Sequence, residues 1–184
     1  MAMKMKWVLA GLGAVALAAV AITSAMPWLH HSDDAYTVSA EACPVDAKPA
    51  NLDFTLKDMN EKEVSLASYK GKVILLDFWA TWCGPCKVEI PGFVEMQNTY
   101  GPKGFQVIGI SIDDKADQLK PFAAEYKMNY PVLQGLGRDD VTEALGPILG
   151  LPTTLVIGRD GRICAAHAGM TSKETFENQI KELL

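Results

Sequence analysis

Cys83 and Cys86 stand two residues apart in the run Trp82-Cys83-Gly84-Pro85-Cys86, a spacing that lets two thiols close a disulfide across a single turn of backbone. The apolar stretch Val73 to Trp79 predicts a buried strand, and the stretch from Cys86 to about Thr99 predicts a helix. A thiol at such a strand-to-helix junction faces unpaired N–H groups and the positive end of the helix dipole, and both stabilise a thiolate. The thiolate is the form that attacks disulfides. Cys83, nearer the exposed helix start, is the expected attacking thiol, and Cys86 the one that resolves the mixed disulfide. Gly84 and Pro85 keep the turn tight without bulk over the sulfur. The same spacing serves as half of a zinc site, but zinc needs a second pair of ligands. Neither Cys43 nor Cys164 has a neighbour at ligand spacing, so no metal and no cofactor are expected.

Asp77 lies on the predicted strand between Ile74-Leu75-Leu76 and Phe78-Trp79. A carboxylate in so apolar a run is costly unless it acts or is paired. Burial would raise its pKa and suit it to exchange a proton with Cys86; the alternative is a carboxylate satisfied by a lysine such as Lys87. Glu89, three residues after Cys86, shares a helix face with that cysteine. Trp82 either covers the cysteines and lines a docking surface or packs in the core, whereas Trp79 is expected in the core. His30, His31 and His167 form no metal-ligand constellation.

These residues need a scaffold, and the chain of 184 residues is long enough for one domain with a sizeable core plus extra sequence. Its 17 basic and 22 acidic residues form no basic patch, which argues against nucleic acid as a partner. Lys4 and Lys6 precede an uncharged run of 23 residues from Trp7 to Leu29, long enough as a helix to span a bilayer. The lysines before it and Asp33 and Asp34 after it orient the remainder outside the cytoplasm. Residues 1–29 are therefore a transmembrane anchor, or a signal sequence cleaved near Thr23-Ser24-Ala25 that would leave a secreted, periplasmic protein. Residues 30–50 read as a polar linker and 51–184 as the domain. Cys43 and Cys164 either pair as a structural disulfide fastening the N-terminal segment or remain as two thiols.

Within the domain, Phe54-Thr55-Leu56 and Glu63-Val64-Ser65-Leu66 predict a hairpin. Pro91 falls inside the long helix, where it is expected to kink it. Further strands are predicted over 105–112, 130–133, 153–157 and 163–167. Helices are predicted over about 115–126 and 139–145. A final helix is expected to open on a capping box from Thr171 to Glu174, with Phe176, Ile180, Leu183 and Leu184 on one face. Alternating strands and helices give an α/β domain with a central sheet covered on both faces.

Three segments carry a family resemblance: Asp77-Phe78-Trp79-Ala80-Thr81-Trp82-Cys83-Gly84-Pro85-Cys86-Lys87, then Pro91, then Gly150-Leu151-Pro152-Thr153-Thr154. Residues 51–184 resemble the thioredoxin-fold, membrane-anchored TlpA/ResA-like thiol-disulfide oxidoreductases. The resemblance implies a central mixed sheet flanked by helices, an N-terminal β-hairpin, and an inserted strand–helix around 127–147. It assigns Asp77 the place of the buried thioredoxin acid and Glu89 a part in tuning the acidity of the cysteine pair. It also implies a cis bond before Pro152, opposite the cysteines, where Leu151 would offer backbone hydrogen bonds to a peptide.

The expected activity is extracytoplasmic reduction of disulfides in cysteine-containing protein substrates. Electrons would come from an integral-membrane thiol donor. The resemblance suggests apocytochrome c, in cytochrome c maturation, or copper-site proteins as clients. Two alternative activities match the residues less well. A thiol peroxidase of peroxiredoxin type needs Pro and Thr or Ser where this chain has Leu76 and Ala80, and a thioredoxin-fold copper chaperone favours Cys-x-x-x-Cys with a distant histidine.

Overall fold

The structure, a computed structural model, describes residues 43–184. The apolar run from Trp7 to Leu29 and the linker up to residue 42 lie outside the described residues. Among the described residues no helix is long and apolar enough to cross a membrane.

A small antiparallel hairpin comes first, β1 (Thr55–Lys57) paired with β2 (Glu63–Ser65). Its turn is tied by Asp58, whose Oδ1 accepts hydrogen bonds from the N–H groups of Asn60 (2.7 Å) and Lys62 (2.9 Å). β3 (Val73–Trp79) runs directly into the turn before α1 (Gly84–Tyr100). β4 (Phe105–Ser111) and α2 (Ala116–Glu125) follow, then the short β5 (Val132–Gln134) and α3 (Asp139–Leu145). β6 (Thr153–Ile157), β7 (Ile163–Ala168) and α4 (Lys173–Leu183) complete the chain.

The main sheet has the order β5-β4-β3-β6-β7. β3, β4 and β5 are parallel, while β6 and β7 alternate in direction, so the sheet is mixed. β5 and α3 are the inserted strand–helix, with β5 extending the sheet at one edge. β3 is central and all seven of its residues are buried, the pattern of a strand covered on both faces. Its side chains alternate between two cores as the pleat requires. Val73, Leu75 and Trp79 join Ile90, Phe93 and Met96 of α1, Leu119 and Phe122 of α2, and Phe176 and Ile180 of α4. Ile74, Leu76 and Phe78 join Leu56 of the hairpin and Val141 and Leu145 of α3. The hairpin therefore closes one face of the sheet.

Two local expectations need correction. The final helix is capped by Ser172, whose Oγ accepts from the Thr175 N–H (3.1 Å), so the Thr171–Glu174 capping box does not form. Glu174 instead lies in the first turn, where its charge suits the helix dipole. Residues 43–50, assigned to the linker, are attached to the domain. Cys43 is disulfide-bonded to Cys164. The Ile163 N–H donates to Lys48 O (2.8 Å), and the Ala50 N–H donates to Gly161 O (2.8 Å). Arg162 also donates to the carbonyls of Pro44 (3.1 Å) and Val45 (3.3 Å). The cysteine pair offered this fastening as one option, but the backbone and Arg162 contacts leave no mark in a polar, aperiodic stretch, because their partners lie more than 100 residues away in sequence.

The register places this strap far from the start of α1. Thr153 pairs with Ala168 beside the C-terminal end of β3, whereas Ile157 pairs with Ile163 beside its N-terminal end. Replacing both Cys43 and Cys164 by serine is expected to lower unfolding stability by roughly 5 kcal/mol in the chain-entropy treatment. Denaturant unfolding checks the loss, and the variant should keep its Cys83–Cys86 exchange chemistry.

Candidate active site

The β3–α1 junction is a tight turn, with the Cys83 N–H donating to Ala80 O (3.1 Å). Cys83 is the N-cap of α1, in extended backbone conformation, and its sulfur accepts from the Cys86 N–H (3.2 Å). The two cysteines form a disulfide. Pro85 sits in the first turn, where its missing donor costs no helical bond and its fixed φ suits the helix. Gly84 has open space where a Cβ would lie, so nothing there crowds an approach to the sulfurs. Both cysteines are almost fully covered, at 3% and 1% exposure. Pro91 lies on the exposed side of α1, within one uninterrupted helix. Its ring nitrogen leaves the Lys87 carbonyl without the usual helical partner.

Asp77 projects into the α1 face of the sheet and is 2% exposed. Its Oδ1 accepts from the Thr154 hydroxyl (3.0 Å), supplied by β6, whose Thr154 lies opposite Asp77 in the register. Among the described residues no cation pairs with it; Lys87 instead lies over the Phe122 ring, 5.9 Å from the centroid. Burial, reinforced by the charge of Glu89 and partly opposed by the Thr154 bond, pushes the Asp77 carboxyl up to about 8. Tyr130 is buried as well, and desolvation together with the Asp77 charge holds its phenol well above the usual range. Its neutral hydroxyl therefore adds no charge to this interior.

Glu89 is no solvated helix residue, being only 7% exposed. Oε1 accepts from the Thr171 N–H (2.7 Å) in the loop before α4, and Oε2 is buried without a partner among the described residues. Desolvation raises its pKa to about 7, against the opposing effect of the Thr171 bond. Glu89 lines a groove of about 320 Å³ between α1 and the start of α4, together with Val88, Phe93, Met96, Met170 and Phe176.

Trp82 is 63% exposed, so it is not core; its indole Nε1 donates to Asp113 Oδ2 (2.7 Å). Trp79 is fully buried and tilts against Phe122. Leu151–Pro152 is a cis peptide, and neither the N–H nor the C=O of Leu151 has a partner among the described residues. Pro152 O accepts from the Gly169 N–H (2.8 Å), tying this loop to the end of β7. Exposed Trp82, Val88, Leu149 and Met170 belong to the segments carrying the cysteines, Glu89 and Leu151. His167 bonds Gln179 (2.9 Å) and meets the Phe176 ring edge-on. Leu76 and Ala80 are buried apolar side chains.

Sequence reasoning missed four participants. Thr154 carries a weak signal, as a hydroxyl just beyond the Leu151–Pro152 pair, but only strand register puts it opposite Asp77. Buried Ser111 and Asp114 form a hydrogen-bonded cluster with half-buried Thr81 behind the turn, and nothing in their spacing announces it.

A strand–turn–helix carrying a dithiol pair at the helix start, opposite a cis-proline loop, defines the class of thioredoxin-fold thiol-disulfide proteins. Relatives agree. ResA of Bacillus anthracis, a thiol-disulfide oxidoreductase, is 33% identical over 131 residues, 71% of this chain and 74% of its own. The thioredoxin-like protein YneN of Bacillus subtilis is 32% identical over 134 residues, 70% of this chain and 75% of its own. A thiol:disulfide interchange protein of the thioredoxin family from Chlorobium tepidum superposes with a TM-score of 0.68 at 29% identity, over 77% of this chain and 99% of that one. A sequence profile described as the AhpC/TSA family matches residues 48–166, and the chain belongs to that family. Its activity is that of a protein-disulfide oxidoreductase.

The raised Asp77 pKa has a consequence for stability. The native state keeps a proton that the unfolded chain loses near pH 4, so this group's contribution to stability falls as pH rises from about 4 to about 8. Asp77→Asn is therefore expected to be more stable than the parent at pH 7 by about 2–4 kcal/mol, with the gain vanishing near pH 4. Urea midpoints at the two pH values check this, and equal midpoints at pH 7 would refute the shift.

Proposed function

We propose that this protein is an exported reductase of protein disulfides, in which Cys83 attacks and Cys86 resolves. The single observation that carries the reading is the dithiol pair at the α1 N-cap with a proton-holding Asp77 buried among the strands that lead to it. In the reduced protein the Cys83 thiolate attacks a client disulfide. A mixed disulfide forms and one client thiolate leaves. Cys86 then gives up its proton and attacks the Cys83 sulfur, which releases the second client thiolate and closes the Cys83–Cys86 bond. Two electrons pass to the client.

Asp77 receives the Cys86 proton in that step. A carboxyl titrating near 8 is populated in both forms around neutral pH, so it can take the proton and return it when the pair is reduced again. Glu89, one helical turn from Cys86, adjusts the acidity of the pair through its own charge, which reaches Asp77. Trp82, Gly84, Pro85, Leu151 and Pro152 form the docking face, with the unpartnered Leu151 backbone receiving an extended client segment. Cys43–Cys164 is a structural fastening.

The location outside the cytoplasm is supported by the apolar run 7–29 and by a second disulfide remote from the redox pair, which suits an oxidising compartment. In this reading the run anchors the domain to the membrane. An integral-membrane thiol carrier supplies electrons, and the clients are cysteines of apocytochrome c or of copper-site proteins. The relatives' description as thiol-disulfide oxidoreductases is consistent with such substrates.

Equilibration of the full chain against glutathione is expected to give a potential near the thioredoxin value of about −270 mV; one near −120 mV would mark an oxidant and overturn the reductase reading. Cys86→Ser should accumulate clients bound through Cys83, because the mixed disulfide can no longer resolve. Glu89→Gln is expected to shift the pH dependence of client reduction without abolishing it, checked by rates between pH 5 and 9.

A further inference from the structure

We infer that Asp114 is a positioning residue of the redox pair: it holds the turn before Cys83, and its charge counterweighs the helix N-terminus that favours the Cys83 thiolate. Asp114 lies in the β4–α2 loop and is 1% exposed. Its Oδ2 accepts from the Thr81 N–H (2.7 Å) and the Ser111 hydroxyl (2.6 Å), and its Oδ1 accepts from the Thr81 hydroxyl (2.5 Å). The adjacent Asp113 holds the Trp82 indole (2.7 Å). Two consecutive carboxylates of one loop thus grip the two residues that precede Cys83.

A buried carboxylate loses its hydration and is tolerated only when donors replace the water. Three donors do so here, and two of them belong to Thr81. Such charge-assisted bonds are stronger than neutral ones. Cys83 hangs from this turn through its N–H bond to Ala80, and its carbonyl accepts from the Lys87 N–H (3.2 Å) to begin α1. Asp114 therefore fixes the backbone on which the attacking sulfur sits while that sulfur changes partners between Cys86 and a client.

The same placement has an electrostatic result. The N-cap position lowers the thiol pKa, and a thiolate that is too stable makes the disulfide strongly oxidising. A negative charge bonded to Thr81, two residues before Cys83, and shielded from solvent works in the opposite sense. It makes the dithiol less acidic and favours the closed disulfide, which is the direction a reductase needs. This inference rests on Cys83 being the attacking thiol.

The test is the pH profile of iodoacetamide alkylation of the reduced full chain, with the labelled cysteine identified by mass spectrometry, alongside glutathione equilibration. Asp114→Asn keeps the shape and removes the charge. It is expected to speed Cys83 alkylation below pH 7 by about threefold or more, and to shift the equilibrium towards the dithiol by a similar factor. A profile and an equilibrium within about twofold of the parent, whatever the change in stability, overturn the inference. Thr81→Val provides a second arm should Asp114→Asn not fold. It keeps the charge but strips one donor from it, so Cys83 alkylation at pH 7 should slow; an unchanged or faster rate overturns the inference. Labelling of Cys86 rather than Cys83 in the parent overturns it for a different reason, by removing the attacking role of Cys83.

Discussion

One strand buried on both faces carries a carboxyl, and the rest of the molecule is arranged around that fact. All seven residues of β3 are covered, six of them apolar and one Asp77. An ionised carboxylate in such surroundings would cost several kcal/mol. Among the described residues no cation pairs with it; Thr154 supplies one hydroxyl, and a second carboxyl, Glu89, lies within electrostatic reach. The outcome is a carboxyl that keeps its proton into neutral pH. A strand serving only the core would place an aliphatic residue there.

The redox turn stands between two opposed influences. On one side is the α1 N-terminus, with Cys83 as its cap and open helical N–H groups favouring negative charge at sulfur. On the other are carboxyl groups brought from different elements: Asp77 from β3, Glu89 from α1, and Asp113 and Asp114 from the loop after β4. Their surroundings differ as well as their positions. Burial keeps Asp77 and Glu89 protonated to higher pH than usual, while Asp114 accepts three hydrogen bonds from the turn before Cys83 and from Ser111.

The remote end of the sheet is organised differently. The hairpin covers one face, and the strap from Cys43 to Ala50 runs along the β6–β7 turn, joined by a disulfide, backbone bonds and the Arg162 guanidinium. The chain's entry into the domain is thus fixed near the N-terminal end of β3, while exchange takes place beyond its C-terminal end. The two disulfides occupy opposite ends of the sheet, and the partly exposed strap can restrain the chain without touching the chemistry.

The alternation of strands and helices and the strand–turn–helix around Cys83 and Cys86 were legible in the amino-acid order alone. Those features depend on local periodicity and on spacings of a few residues, so they survive without tertiary information. Asp77 was legible for the same reason, since a lone carboxyl in an apolar run stands out. Packing of the sheet supplied what surrounds it: Thr154 faces Asp77 only through the β3–β6 register, and Asp114 meets Thr81 only because β4 lies parallel to β3. It also decided that Glu89 is buried against Thr171, that Trp82 is exposed and tied to Asp113, and that Cys43 reaches Cys164. Each of these links residues tens of positions apart, and a hydrogen bond or a burial at that range is a property of the packed sheet rather than of any one segment.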